Sequence, residues 1–404
     1  MPISRRNLVA ATTAGLGFVG SAHAATPEEA LSALRGSVRG DTVTLPPIGA
    51  PTQNNPPTPN ADAMQKRLGV AVVGLGHLSL DQILPGFGQS RHMRLTALVS
   101  GERDKARAVA AQHGVAESHI YDYGNFDRLK DNPDVDVIYI VLPNNMHAEY
   151  TVRAAQAGKH VLCEKPMATS VADAQRMIDA CRQAQRQLMI AYRCQYAPEH
   201  LALIEMAQKR TMGRVRLIEA VNGQNNADNG QWRHIKAMAG GGSLPDVGIY
   251  CLNAARYLTG EEPSEVMARV TRPKDDNRFR EVEDICSFTL GFPSGVVANC
   301  TAGYSFHENR QLRVMADDGW FGMDPAFGYD NLAVFSQRKS GETDAQEQRR
   351  FPPMNQFARE MDAFADAIRS GKPVRTPGEE GLRDLRLIEA IYRAANGGGV
   401  VKLS

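Results

Sequence analysis

A series of short apolar stretches between residues 69 and 193 constrains the fold more than any other feature of this chain. The stretches lie at 69–75 (GVAVVGL), 93–100 (MRLTALVS), 135–143 (VDVIYIVLP), 160–164 (HVLCE) and 188–193 (LMIAYR), and helical patterns separate them. They are apolar along their whole length instead of alternating with polar residues. Strands of this kind are typical of a parallel sheet that helices cover on both faces. The sequence therefore predicts an α/β, dinucleotide-type Rossmann domain over residues 67–194.

The pattern changes after about residue 195. Strands with polar alternation are predicted at 214–225, 265–272, 282–292, 295–306 and 310–324. Such alternation is typical of an antiparallel sheet with one face on a core. Helical patterns at 355–368 and 381–396 are expected to pack back on the sheets. We predict an α+β domain over residues 195–404 with a large, mostly antiparallel open sheet, and an exposed loop at 339–350.

The first 66 residues belong to neither domain. Ser4, Arg5 and Arg6 precede a weakly apolar run, and the small residues at 22–24 form a cleavage pattern, so residues 1–24 predict a twin-arginine export signal. Proteins on that route are exported folded, which predicts a periplasmic location. Residues 25–66 are rich in Pro, Asn and Thr and predict an extended arm outside any core.

Charge and cysteine usage exclude several classes of partner. The 404 residues carry a formal net charge of +1, so no global field favours nucleic acid or a membrane surface. The six cysteines show no CxxC spacing and are predicted to be buried free thiols. No HExxH or similar spacing occurs, and we predict no metal site.

The first chemical motif is GLGHLS at 74–79, between a buried strand and a helix. Gly74 allows a tight turn, and Gly76 removes the Cβ that would keep a pyrophosphate away from the backbone. Ser79 stands where a third small residue is usual. The alternative is an ordinary glycine turn.

The second motif is the end of the next strand, where NAD-selective folds place an acid. Here Ser100 occupies that place, and Arg103 and Lys105 follow. A hydroxyl and cations suit a 2′-phosphate, so NADP is favoured over NAD. The alternative is a solvated helix start.

Two further strand ends carry polar residues. Asn144 follows Pro143 and is expected to line a nicotinamide pocket, and His147 begins the next helix either as a general base or, more simply, as a packing residue. Lys165 follows HVLCE, and Pro166 fixes the turn so that the ammonium points into the cleft. A cation there would stabilise a developing alkoxide. The alternative is a surface lysine at a turn.

A glycine-rich segment, AGGGSLPDVGIYCLNAARYL at 239–258, precedes a helix. Asp246 and Tyr250 are four residues apart and share a helical face. We expect Tyr250 to carry a proton, its pKa lowered by the nearby Lys165 ammonium, and Asp246 to orient it or the substrate. Alternatively, Tyr250 is a core aromatic and Asp246 an ordinary acid of the first helical turn.

These motifs together resemble the glucose–fructose oxidoreductase branch of the Gfo/Idh/MocA dehydrogenases. The resemblance runs over about residues 68–396 through EKPMATSVADAQRMIDA, GGGSLPDVGIYCLNAARYLTGEEP, LVSGERDKA, LPNNMHAEY and YRCQY. It implies that Lys165 is the lysine of the EKP motif, that Tyr250 transfers the proton and that Asp246 acts with them. It implies cofactor or sugar contacts at Gly74, Leu75, Gly76, His77, Ser100, Lys105, Tyr123, Leu142, Asn144, His147, Glu164, Lys165, Arg193, Trp232, Arg233 and Tyr329.

The resemblance also implies an activity. NADP would stay tightly bound while glucose is oxidised to its lactone and fructose is then reduced to sorbitol. The proline-rich arm of the family embraces a neighbouring subunit and helps to trap the dinucleotide, so a homo-oligomer, dimer or tetramer, is expected. The alternatives are an aldose–aldose oxidoreductase, an ordinary dehydrogenase that exchanges its cofactor, and a non-catalytic NADP-binding sugar sensor.

Overall fold

The computed structural model describes residues 26–33, 35–40, 42–45, 67–225 and 231–403. The predicted export signal and arm residues 46–66 lie outside these ranges. The described part of the arm is not simply extended: it forms helix α1 (Pro27–Ala33) and a hairpin of strands β1 (Ser37–Arg39) and β2 (Thr42–Thr44).

The first domain is a six-stranded parallel sheet flanked by helices. Its elements are β3 (Leu68–Val73), α2 (Leu84–Phe87, preceded by a π-helical turn at Ser79–Ile83), β4 (Met93–Val99), α3 (Arg103–His113), β5 (Ile120–Tyr121), β6 (Val137–Ile140), α4 (His147–Gln156), β7 (His160–Glu164), α5 (Val171–Gln183) and β8 (Leu188–Ala191). The strand order is β5-β4-β3-β6-β7-β8. This is the doubly wound order whose direction reverses between β3 and β6, the point where such sheets bind ligands.

The apolar strands explain this arrangement. Val70, Val72 and Tyr139 face one helical layer, and Ala71, Val73 and Ile138 face the other, all of them fully buried. Gly69 allows a close approach of two backbone segments, because a Cβ at this position would lie 1.7 Å from the Asp134 carbonyl oxygen. The predicted Rossmann sheet is confirmed.

The second domain is a nine-stranded sheet with helices on one side. Its elements are α6 (Pro198–Gln208), β9 (Val215–Asn225), α7 (Lys236–Ala239), α8 (Ile249–Thr259, preceded by a π-helical turn at Leu244–Gly248), β10 (Glu265–Thr271), β11 (Ile285–Gly291), β12 (Val297–Gly303), β13 (Ser305–Ala316), β14 (Gly319–Met323), β15 (Val334–Ser340), β16 (Thr343–Arg349), α9 (Gln356–Ser370), α10 (Gly378–Gly397) and β17 (Val401–Lys402). The order is β16-β15-β14-β13-β9-β12-β11-β10-β17, and only β9 and β12 pair in parallel. The mostly antiparallel sheet is as predicted.

The prediction of a loop at 339–350 was wrong. Residues there complete the hairpin of β15 and β16, in register from Val334 opposite Arg349 to Ser340 opposite Thr343. Every side chain of β16 is exposed, so side-chain burial gives no alternation to recognise. Backbone pairing with β15 holds this strand.

The two domains are joined by the C-terminal helices. Helix α10 packs against β8 and α5 of the first domain and against β10 of the second, and α9 packs against β4. All six cysteines are buried and free, as predicted. Among the described residues, no helix has the length and apolar character needed to cross a membrane.

A buried ion network fastens α8 to α10. The Arg256 side chain, 4% exposed, lies 2.6 Å from Asp384 Oδ1, 3.0 Å from Glu380 Oε1 and 2.7 Å from Glu262 Oε1. Arg256 thus supplies the buried positive charge for Asp384 and Glu380, while Asn253 donates to both carboxylates and Arg383 pairs with Glu380 from the surface side. Breaking such a network is far more damaging than deleting an exposed pair.

We predict that Arg256→Ala lowers the free energy of unfolding by about 3–5 kcal/mol, because Asp384 and Glu380 lose their buried cation. Denaturant unfolding would measure the change. Arg176→Ala is the matched control, since Arg176 is 61% exposed and its pair with Asp173 is worth about 1 kcal/mol or less. Equal losses in the two variants would contradict the structural role of the network.

Candidate active site

A cleft of about 790 Å³ lies at the carboxyl ends of β3, β4, β6 and β7 and extends to the large sheet. It is lined by all but one of the predicted site residues: Gly74, Leu75, Gly76, His77, Ser100, Lys105, Tyr123, Leu142, Asn144, Glu164, Lys165, Arg193, Trp232, Arg233, Asp246, Tyr250 and Tyr329. Residues as far apart in the sequence as Gly74 and Tyr329 therefore line one cleft.

The glycine loop fits a dinucleotide. Gly74 has φ +96°, and a Cβ there would lie 2.2 Å from the Val141 carbonyl oxygen. Gly76 differs, because a Cβ on it would meet no atom within 4 Å. Gly74 is thus required by the fold, whereas Gly76 leaves open space where a pyrophosphate approaches the backbone. Ser79 lies inside the turn and donates to the Gly74 carbonyl at 2.5 Å.

The strand end at Ser100 differs from a simple phosphate site. Lys105 is buried in the cleft, whereas Arg103 is 56% exposed and points to the surface near Glu117. The Lys105 Nζ pairs at 2.5 Å with Glu102 Oε1, and the Glu102 amide donates to Ser100 Oγ at 3.1 Å. Glu102, which the sequence prediction missed, also lines the cleft and offsets part of the charge that would attract a 2′-phosphate.

The arm closes over this end of the cleft on its own chain. Leu31 and Arg35 line the cleft together with Glu28 and Ser32. Ala30 packs in a small apolar cluster with Trp232, and the Gly36 amide donates to Glu102 Oε2 at 3.1 Å. The arm thus contacts the second domain through α1 and the first domain through Gly36 and the β1–β2 hairpin.

Lys165 and Asp246 meet across the domain boundary. The Lys165 Nζ donates to the Asp246 carbonyl oxygen at 2.7 Å and lies 3.2 Å from Asp246 Oδ1. Both side chains are mostly buried, 11% and 17% exposed. The alternative of a surface lysine is wrong, because the turn after β7 aims the ammonium into the cleft.

The Asp246 carboxylate has two further partners. Arg233 Nε lies 3.1 Å from Oδ2, and the Tyr304 hydroxyl donates to the same oxygen at 2.7 Å. Burial alone would raise the pKa of Asp246, but the Lys165 and Arg233 cations hold it well below its usual range. Asp246 is therefore a permanent anion that orients two cations.

Tyr250 lies one helical turn after Asp246 and faces the same cleft. Its ring centroid is 4.7 Å from Lys165 Nζ and 4.9 Å from the Arg193 guanidinium carbon. Burial nevertheless raises the pKa of Tyr250, and the Arg193 cation offsets only part of that rise. The predicted net lowering of this pKa is therefore wrong for the protein alone, because burial outweighs the effect of the neighbouring cations, and the phenol is a proton donor at neutral pH.

Arg193 contacts two tyrosine rings, because the Tyr329 centroid also lies 4.5 Å from its guanidinium carbon. Its Nη1 donates to Gln356 Oε1 at 2.5 Å and to the Gly328 carbonyl at 3.0 Å. The guanidinium is thereby fixed at the floor of the cleft. Tyr329 itself is 42% exposed and lines the cleft.

Two of the three glycines that precede the helical segment are explained by close packing, and the third, Gly240, has a positive φ of +81°. A Cβ on Gly242 would lie 2.0 Å from the Glu283 carbonyl oxygen, and one on Gly241 would lie 2.0 Å from Tyr392 Oη. The buried Glu283 carboxylate accepts from the Gly242 amide at 2.9 Å and from the Leu244 amide at 2.8 Å. Glu283 thus anchors the start of the helical segment that carries Asp246 and Tyr250, a support that the sequence prediction missed.

Asn144 and His147 serve different purposes. Asn144 lines the cleft and donates to the Ala239 carbonyl at 2.8 Å, which ties the first domain to the second. His147 does not line the cleft. It is fully buried, its Nδ1 is 2.9 Å from the Pro166 carbonyl oxygen, its Nε2 is 2.8 Å from that of Leu142, and burial lowers its pKa. The structure places His147 as the packing residue that fixes the turn of Lys165, and its assignment to the cofactor site is corrected.

Three polar residues of the large sheet also line the cleft without having been predicted. Asn222 and Gln224 come from β9 and Arg310 from β13. The alternating pattern of β9 places Asn222 and Gln224 on one face, which was the available signal. Among the described residues, no group of three potential metal ligands comes together.

Comparisons with known proteins agree with this architecture. Residues 68–192 match the model of an oxidoreductase family with an NAD-binding Rossmann fold, GFO_IDH_MocA, and residues 200–322 match a GFO/IDH/MocA C-terminal domain.

Individual relatives cover most of the chain. D-xylose 1-dehydrogenase [NADP(+)] of Haloarcula marismortui is 30% identical over 82% of this chain and 92% of the relative. The crystal structure of an aldose–aldose oxidoreductase from Caulobacter crescentus, complexed with glycerol, is 46% identical, with a TM-score of 0.81 over 84% of this chain and 100% of that one. A 3-ketoreductase variant from Actinomadura kijaniata, in complex with TDP-benzene and NADP, is 27% identical, with a TM-score of 0.72 over 81% and 98%.

We predict that Gly76→Ala leaves stability without cofactor unchanged but weakens NADP binding at least about tenfold, because its Cβ occupies only the space of the ligand. Calorimetric titration of protein freed of its cofactor would measure this. Gly74→Ala is the matched control and should instead destabilise the fold by about 1–3 kcal/mol through its positive φ and the Val141 contact. Unchanged NADP binding in Gly76→Ala would contradict the assignment of the loop.

Proposed function

The chain belongs to the Gfo/Idh/MocA oxidoreductase family, and we propose that it is an NADP-dependent sugar oxidoreductase that retains its cofactor between two half-reactions. The observation that carries the proposal is the meeting of Lys165, Asp246 and Tyr250 in one cleft with the glycine loop. The relatives named above supply the substrate class. An aldose would be oxidised to its lactone, and a second sugar would then be reduced.

Each residue has a distinct task in this proposal. The glycine loop, Ser100 and Lys105 hold the dinucleotide, which when bound supplies the acceptor and donor of hydride. Lys165 and Arg193 provide positive potential beside the reacting hydroxyl, and Asp246 keeps the Lys165 ammonium in place. Tyr250 exchanges the proton with the sugar oxygen.

The raised pKa of Tyr250 suits the reductive half-reaction directly, because a carbonyl that gains hydride needs a proton donor. In the oxidative half-reaction, the same phenol must first lose its proton. The positive charges of Lys165 and Arg193, both within 5 Å of its ring, favour that loss. The site is thus arranged for both directions, which a two-sugar cycle requires.

Retention of the cofactor is supported by the arm. The arm runs from Ala30 of helix α1, in the Trp232 cluster, to Gly36 beside Glu102, and its residues line this end of the cleft on the same chain. A dinucleotide beneath it would leave only after α1 moves. Arg35, on the arm beside Gly36, adds a cation near Lys105 and would offset the Glu102 carboxylate beside a 2′-phosphate.

Two candidates exist for the second sugar. The 46% identity to an aldose–aldose oxidoreductase favours another aldose. The motif resemblance to the glucose–fructose oxidoreductase branch favours fructose. We further propose a periplasmic, homo-oligomeric protein on the basis of the leader at residues 1–24 and the open sheet, with small sugars and neither nucleic acid nor membrane as partners.

Adding glucose to purified protein, with no cofactor supplied, should raise the absorbance of reduced nicotinamide, because the bound NADP accepts hydride. A second aldose should reverse the rise if the enzyme is an aldose–aldose oxidoreductase, and fructose should reverse it in the glucose–fructose case. Protein from which the cofactor has been stripped is the control. No change until free NADP is supplied would contradict retention and leave an ordinary dehydrogenase.

Tyr250→Phe should lower kcat by about 10²–10⁴-fold while the bound cofactor content stays unchanged, because only the proton carrier is lost. Single-turnover absorbance changes would measure it. Tyr257→Phe, on the same helix but hydrogen-bonded to His200 at 2.8 Å, is the matched control and should keep most of the activity. Full turnover in Tyr250→Phe would exclude the proposed proton transfer, and a wild-type protein that binds sugar without turnover would be a sensor.

A further inference from the structure

Helix α9 presents two polar side chains to the underside of the cleft. Gln356 and Glu360 are one turn apart, and Gln356 holds Arg193 as described above. Glu360 is fully buried and takes no part in the reaction proposed so far. A buried acid beneath an active site therefore needs an explanation.

Glu360 is linked to the cleft through one hydroxyl. The fully buried Tyr139 Oη, from β6, lies 2.8 Å from Glu164 Oε1 and 3.0 Å from Glu360 Oε1. Glu164 ends β7 and lines the cleft beside Lys165. The three groups form a chain from the back of the sheet to the cleft floor.

The number of hydrogen-bond donors determines how many protons the hydrogen-bonded row of Glu164, Tyr139 and Glu360 must hold. The Tyr139 hydroxyl has one proton and can donate it to only one of the two carboxyl groups. If both carboxyl groups were ionised, the other would place a bare anionic oxygen 2.8–3.0 Å from the lone pairs of the phenol. One of the two must therefore carry a proton and donate it to Tyr139.

The surroundings identify which one. Glu164 accepts from the Lys165 amide at 3.3 Å and reaches the solvent of the cleft. Glu360 Oε2 is buried and has no hydrogen-bond partner among the residues that the structure describes. A lone buried anionic oxygen is costly, whereas a carbonyl oxygen of a neutral acid is tolerated there.

We propose that Glu360 is a permanently neutral acid whose proton, passed as a hydrogen bond through Tyr139, holds Glu164 ionised and oriented at the floor of the cofactor cleft. Glu360 Oε1–H donates to Tyr139 Oη, and Tyr139 Oη–H donates to Glu164 Oε1. Glu360 is thus a positioning residue. Its effect on catalysis rests on the proposed function, but its protonation does not.

The charged groups around the chain agree with this assignment. Burial raises the pKa of both acids, and that of Glu360 lies further above its usual value because Glu164 adds a like charge. The Tyr139 hydrogen bond, Lys165 and Arg193 lower the pKa of Glu164. Arg193 also faces Glu360, as do Cys194 and Tyr196. The cations thus lie mainly on the Glu164 side.

Infrared difference spectroscopy of Glu360→Gln against the wild-type holoenzyme tests the protonation state without any activity assay. At neutral pH, the variant should lack one carbonyl-stretch band of a protonated carboxylic acid. Loss of an ionised-carboxylate band instead would overturn the proposal. Because the experiment needs no sugar, its result does not depend on whether the proposed reaction is correct.

The pH profile of turnover tests the positioning, because the proposal makes the ionised form of Glu164 the one that orders the cleft floor, so that its protonation sets the acid limb. In Glu360→Gln, the amide N–H replaces the acid proton as donor to Tyr139, so the activity should stay within about twofold and the acid limb should not move.

Tyr139→Phe removes the donor to Glu164, so the pKa of Glu164 rises and the acid limb should move about one pH unit or more towards higher pH. A downward shift in Glu360→Gln would show that an anion had been removed, and an unmoved limb in Tyr139→Phe would show that Glu164 is not controlled through Tyr139. Either result would overturn the proposal.

Discussion

The contact between Lys165 and Asp246 is the interaction on which the site depends. It joins a turn of the Rossmann domain to the helical segment that packs on β9 and β12 of the large sheet, with the ammonium 2.7 Å from a carbonyl and 3.2 Å from a carboxylate oxygen. The same carboxylate holds Arg233 and Tyr304. Because the anion is buried and shared among three partners, the relative position of the two domains is coupled to the position of the reactive groups.

Residues on both domains hold the two partners of this contact in position. His147 and Pro166 fix the turn of Lys165, and Glu283 fixes the start of the segment that carries Asp246. Beneath them, α9 fixes Arg193 through Gln356. Each support is buried and bonded to backbone or to a charged group, so small displacements are resisted by several hydrogen bonds at once. This is the preorganisation that an electrostatic catalyst needs.

The sequence predicts those parts of the molecule that local chemistry decides. HVLCE has the observed bounds of β7, because a strand buried on both faces is apolar throughout. Gly74, Gly76 and Lys165 are visible because a strand end and a turn are local features. The hairpin of β15 and β16 is not visible, since all of β16 is exposed and only pairing with a neighbour holds it.

What the sequence does not predict depends on burial and on distant partners. The charge of Lys105 is evident, but its pairing with Glu102 is not. The direction of the Tyr250 pKa shift follows from burial by both domains, which no local pattern contains. Helix α1 is too short to be stable alone and forms where Ala30 meets the Trp232 cluster, so its sequence resembles a linker.

The placement of that helix has a consequence for the order in which the molecule is built. Because α1 and the Gly36 amide dock on the chain to which they belong, these contacts beside the cleft form within a single subunit. Ligand capture can then precede any association between subunits. For the export proposed above, the nucleotide would be bound in the compartment where the chain folds and would travel with the folded protein.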